Sequence, residues 1–343
     1  MKIPFIEFPG ELNFRTLSNL QIGLASYSQY EAIGIDFRAA RWATPFFLTA
    51  AAICIVEHKS QSRQRIKCIN VEHCSYFSHM GFFRSFGLEF GRAPGEARGN
   101  ENYLPIQIIN SEEVRGEAIA SDSAVGLVME AKAEKLARIL ARAEQGSVVD
   151  TLTFSLREMF RNIVEHSKAD RLAYCAQAYP TKRQVEVGVF DLGIGLRAGL
   201  EENRKIKLEN DSDAIQCALM PGVSGKAEKV KKLRHKDEWT NSGYGLYMTS
   251  RLFRDHGRFS VGSGDSALIL AGSDTLKAPW KMSGTAIQLV LHEERIGDLQ
   301  ALLDAYKSEG AKLRQRVGGS ALSEPSVAST NLARNFRKAD ESS

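Results

Sequence analysis

At 343 residues with 43% apolar content, the chain is long enough for two domains, each with its own core. A formal net charge of +4 is too slight to argue for nucleic acid, and the longest apolar run, Ala43–Val56, is too short to span a bilayer and contains Pro45. Five cysteines (Cys54, Cys68, Cys74, Cys175 and Cys217) with no CxxC pair and no signal peptide argue against a disulfide framework or zinc site, and are expected as reduced thiols of a cytoplasmic protein.

In chain order, Pro4–Phe8 (PFIEF) and Leu20–Tyr27 (LQIGLASY) are expected as strands. Ala32–Phe37 (AIGIDF) reads as a short apolar strand ending in an acid, and Pro45–His58 as a buried helix. A strand at Arg65–Val71, an aromatic helix at Tyr76–Leu88 stopped by Gly87, and a strand at Leu104–Ile109 follow. Strands alternating with helices predict a small α/β domain over residues 1–115. Gly91–Asn102 is a loop by composition. Asp122–Glu144 is an amphipathic helix that either connects two domains, across 116–145, or opens the second.

The stretch Leu156–Ser167 (LREMFRNIVEHS) organises the second half. At about 100° per residue, its apolar side chains gather on one face, while Glu158, Asn162 and Glu165, with His166 at the margin, gather on the other. Arg171–Tyr179 and Gln184–Asp191 are expected as a hairpin about the turn PTKR, the second strand running into Asp191-Leu192-Gly193-Ile194-Gly195. The segment Arg197–Asn241 is long enough to suggest a lid; it contains a short helix near Asp211–Leu219, the sequence PGVSGK ending at Lys226, and a basic run. Gly243-Tyr244-Gly245 opens a helix to His256, and Gly284-Thr285 starts a last strand. A helix over Ile296–Val317 and a disordered tail complete a C-terminal region, 296–343.

The acidic-amide helix, DxGxG, GxGL and GT stand in the order and spacing of the GHKL nucleotide-binding superfamily, which residues 146–295 resemble. The resemblance implies an α+β Bergerat-fold ATP-binding sandwich. It makes Asn162 a ligand to Mg²⁺, since a neutral amide oxygen suits a hard cation that takes its other oxygens from water and phosphate. It makes Glu158 the general base toward a water near the terminal phosphate. Asp191 would accept a hydrogen bond from the exocyclic amine of adenine, with Thr285 in the same pocket and Gly193 and Gly195 keeping Cβ atoms clear of the base. Gly243 and Gly245 would offer helix N–H groups to phosphate, and Lys226 a charge to its end.

Competing motifs fit worse. A GxxxxGK[ST] loop is absent, and the GxGxxG fingerprint at Gly193, Gly195 and Gly199 is off by one residue. With no phosphoacceptor-histidine hairpin and no transducer domain, the chain is most similar to anti-sigma-factor serine kinases. The N-terminal order of strand, acid, loop and buried helix resembles STAS domains, in which the loop residue matching Thr44 is phosphorylated; a Thr before Pro45 also fits a helix cap. Two functions are therefore expected: an ATPase or Ser/Thr protein kinase acting on a regulatory protein partner, or a non-catalytic, ATP-gated interaction module.

Overall fold

The protein is described from a computed structural model, which covers residues 3–94, 96, 102–225, 243–316, 325–326 and 329–332, without the side chains of Glu165 and His166. Element numbers run over these residues. β1 (Phe5–Glu7), α1 (Phe14–Ser26), β2 (Ala32–Asp36), α2 (Pro45–Ser62) and β3 (Arg65–Ile69) alternate, and the three strands pair in parallel in chain order. The expected strand at LQIGLASY is instead part of α1. Asn13 and Thr16 close a reciprocal cap at its start, and Leu17, Leu20 and Leu24 form the buried stripe. The stripe begins three residues before that window, so period-two reading missed it. The aromatic stretch breaks into α3 (Ser75–His79) and α4 (Phe82–Ser85) because Gly81 turns left-handed at φ 85°.

β4 (Tyr103–Asn110) does not belong to the small sheet. It pairs antiparallel with β5 (Arg171–Tyr179), which moves the expected boundary at residue 115 to before β4. β5, β6 (Gln184–Asp191), β7 (Gly257–Ala271) and β8 (Asp274–His292) complete a five-stranded antiparallel sheet ordered β4-β5-β6-β8-β7. α5 (Ser111–Ala120) and α6 (Val125–Ala141) follow β4, and α6 lies along α7 (Ser147–Asn162) as the first layer helix of this half rather than as a connector. α8 (Gly195–Glu201), α9 (Asp211–Ala218), α10 (Gly245–His256) and α11 (Leu299–Arg316) are the remaining helices. The chain is thus α/β, and no helix among the described residues is long and apolar enough to cross a membrane.

β6 is buried along nearly its whole length because both sheet faces are covered. Val185, Val187 and Val189 pack with α6, α7 and α10, whereas Phe190 joins the core of the N-terminal half. Phe46 of α2 stacks on Phe190 with centroids 5.1 Å apart, and a Cβ at Gly188 would lie 3.2 Å from the Phe46 Cα. Glu186 points the same way, 1% exposed. It accepts from Gln288 Nε2 at 3.0 Å and from the backbone N–H of Phe46, so a sheet carboxylate satisfies the start of α2. The Thr44 hydroxyl makes no capping bond; it is buried beside Glu186 without a well-formed hydrogen bond.

Burial raises the Glu186 pKa, only partly offset by its donors and Arg258. A raised acid costs nothing while both folded and unfolded states are protonated, and weakens folding as pH climbs above the ordinary carboxylate range. Glu186→Gln should therefore melt with the parent near pH 4 and a few degrees above it near pH 8. Scanning calorimetry across that range would disprove the assignment if the two proteins melted in parallel.

Candidate functional site

One cleft gathers most of the expected site. Asn162, Asp191, Gly195, Gly243, Gly245 and Thr285 all line it, although they come from five separate elements and one connecting turn. Asp191 ends β6 opposite Thr285 in the β8 register, with both side chains on the helix-covered face. Its carboxylate is 5% exposed and accepts from Gly193 N–H at 2.8 Å and from the backbone of Thr285. Burial nevertheless pushes its pKa up to about 6. A buried acceptor of this kind suits an amine donor from a ligand.

The glycines around Asp191 serve close backbone contact. Gly284 has φ 74°, and a Cβ there would meet the Asp191 carbonyl at 2.1 Å; at Gly193 it would meet the Ser167 carbonyl at 2.0 Å. Gly193 therefore seats the turn against Ser167 rather than lining the cleft, and Ile194 N–H donates to the same carbonyl at 2.9 Å. Ser263, absent from the expectations, accepts from Leu196 N–H and donates to the Gly284 carbonyl, both at 2.9 Å. Nothing in its local sequence marks it. Gly284 and Thr285 lie inside β8 at a register shift rather than at a strand start, because the hairpin with β7 extends back to Asp274.

The opposite cluster is built on α7. Asn162 is its last residue, and the chain continues as a π turn over Ile163–Ser167. The side chains of Glu165 and His166, on which the expected alignment with Glu158 and Asn162 rests, are outside the described residues. Glu158 is 3% exposed and does not line the cleft. Its Oε1 pairs with Arg157 at 2.9 Å and with Arg161 at 3.7 Å, while Oε2 lies where a Cβ on Gly245 would be only 2.0 Å away. Gly243, at φ 71°, sits against the Val223 backbone, and α11 brings Gly310 against Tyr244. The glycine turn is thus enclosed by α7, α11 and residues 221–225.

Apolar walls were invisible as site residues. Met159, Ile163, Val189, Leu196, Leu246 and Ile287 line the cleft, but in sequence they read as ordinary core. Of the expected lid, α8, α9 and the turn to Gly225 pack on the sheet, with Asp211 accepting from Asp265 N–H at 3.0 Å. Lys226 and the basic run are outside the described residues. No protein-family model, curated protein or solved structure matches the chain.

Because Arg157 and Arg161 pin Glu158, its carboxylate cannot swing aside for a new methyl group. Gly245→Ala should cost about 1–3 kcal/mol of stability through this overpacking. In a Glu158→Ala background the same change should be nearly neutral. Denaturant unfolding of the four proteins checks it; equal costs in both backgrounds would refute the contact.

Proposed function

We propose that this chain is a Mg-ATP-binding protein whose residues 146–295 form a Bergerat-type sandwich, acting as an ATPase or Ser/Thr protein kinase in a regulatory partner switch. The observation that carries the reading is the convergence of Asp191, Gly195 and Thr285 with Asn162, Gly243 and Gly245 on one cleft. The first three offer a buried carboxylate, an unobstructed turn and a hydroxyl to adenine. The latter three would offer an amide oxygen for Mg²⁺ and the positive end of α10 for phosphate. Bound Mg²⁺ would neutralise phosphate charge, and Asn162, which lines the cleft, would be the residue to hold it. Glu158 lies one turn before Asn162 with Oε2 against Gly245, and as a general base it would take a proton from a water admitted beside the glycine turn.

The small parallel sheet keeps the strand–acid–loop–helix order that suggested a STAS-like unit, with Thr44 at the loop. Its hydroxyl faces Glu186, so a switch acting through Thr44 requires α2 to leave the sheet.

Asp191 sets a pH test. With its pKa raised to about 6, the carboxylate is the acceptor above that pH and takes up a proton below it. ATP affinity should be flat above about pH 7 and weaken as pH falls through 6. A charge-assisted hydrogen bond of about 1.5–3 kcal/mol makes Asp191→Asn roughly ten- to a hundredfold weaker at pH 7.5. Since phosphate also titrates near pH 6, calorimetry of both proteins in the same buffers isolates Asp191. Identical pH curves would count against it.

A second reading, an ATP-gated interaction module without turnover, is favoured by the two arginines that occupy Glu158 Oε1. Phosphate release decides between them. For an enzyme, Glu158→Ala should lower turnover by about 10²–10⁴ while ATP affinity stays within a few-fold, and Asn162→Ala should weaken binding more in Mg²⁺ than in EDTA. Parent protein that binds ATP but neither releases phosphate nor labels a partner leaves the module.

A further inference from the structure

Arg157 is the most enclosed charged group on α7: its guanidinium is fully buried, yet it belongs to no expected motif. It lies between two carboxylates. Nη1 pairs with Glu130 of α6 at 2.6 Å, while Nε and Nη2 hold Glu158 Oε1 at 3.1 and 2.9 Å. Its underside rests on the Phe154 ring, 5.0 Å from the centroid. A further partner comes from far along the chain, where the backbone carbonyl of Asn331 accepts from Nη1 at 3.0 Å.

That contact belongs to a buried segment. Ser329 and Thr330 are 2% and 3% exposed, and Leu332, at 4%, sits in the same core as α7. Gln300 of α11 donates to the Thr330 carbonyl at 3.3 Å. Residues 329–332 fall within the stretch expected to be disordered, yet they return to the back of the helix that carries Glu158 and Asn162.

We propose that Ser329–Leu332 is a strap that holds Arg157 as the positioning residue of Glu158. Asn331 and Glu130 occupy one edge of the guanidinium, so its other edge has a single orientation. That edge ties Glu158 Oε1 and turns Oε2 toward Gly245. A planar five-donor fork transmits position in this way, whereas an ammonium would not. The turnover consequence rests on the nucleotide reading above; the structural coupling does not.

The test uses the full chain with Leu332→Asp, which expels the strap by burying a charge, and Gln300→Ala as a milder release. Two readouts are needed. In side-chain NMR, the Arg157 Nε–H signal, assigned by its loss in Arg157→Lys, should be protected from solvent exchange in the parent. It should exchange at least about tenfold faster in Leu332→Asp and to a lesser degree in Gln300→Ala. In ATP assays, Leu332→Asp should keep affinity within about threefold and lose about tenfold or more in turnover. On an Arg157→Lys background it should cost nothing further, because the strap acts through that side chain. Unchanged Nε–H protection overturns the proposal, as does parental turnover once protection is lost, or a full additional loss on the Arg157→Lys background. A parent that binds no ATP sinks the nucleotide reading instead, and the exchange measurement still decides the strap.

Discussion

The pairing of β6 with β8 sets the geometry on which the cleft depends. Asp191 stands opposite Thr285, so the acid and the hydroxyl share the helix-covered face. Side chains alternate along a strand, and a slip of one residue would send Asp191 into the N-terminal core and bring Glu186 into the helix layer. Both faces resist that slip. Val185, Val187 and Val189 fill the gap beneath α6 and α7, and Phe190 is stacked on Phe46. Close backbone passages complete the lock: Gly284 against the Asp191 carbonyl, and Gly193 against that of Ser167.

Much of this was legible because the residues concerned are chemically unusual for their place. The helix bearing Glu158 and Asn162 and the strand ending in Asp191 form where the sequence suggests them, and six of the eight expected binding and metal residues line one cleft, Gly193 lying outside it and Lys226 outside the described residues. What was not legible depends on partners distant in sequence. β4 looks like any apolar strand, and only the edge of β5, some sixty residues on, decides which sheet it joins. Leu17 lies outside the window that made LQIGLASY look extended. The Thr44 cap failed for the same reason, since the group that satisfies α2 is Glu186 on another sheet. Ser263 and Leu332 carry no local mark at all.

The charges behind the glycine turn are costly to keep. Arg157, Arg161 and Glu158 are nearly excluded from water, and Glu130 nearly so. Buried ion pairs of this kind rarely stabilise a fold more than apolar side chains of equal volume would. They do fix orientation: once two guanidiniums take one oxygen of Glu158, the other is left beside Gly245. Stability alone gives no reason to place four charges there, whereas a carboxylate held in one pose beside a helix N-terminus does.

The two halves also constrain each other. The N-terminal core is not self-contained: α1 and α2 complete the second face of the large sheet, and Trp280 and Met282 from the β7–β8 hairpin join Phe14, Phe46 and Phe47 in it. Removing α2 would expose Phe190, the neighbour of Asp191, and strip Glu186, five residues before Asp191 on the same central strand, of its Phe46 donor. Any event that loosens α2 therefore acts on the strand that holds Asp191, without a residue of the N-terminal half lining the cleft. The polar contact at Glu186 makes that interface more easily opened than the apolar packing alone would be, because a carboxylate that has lost its protein donors regains water.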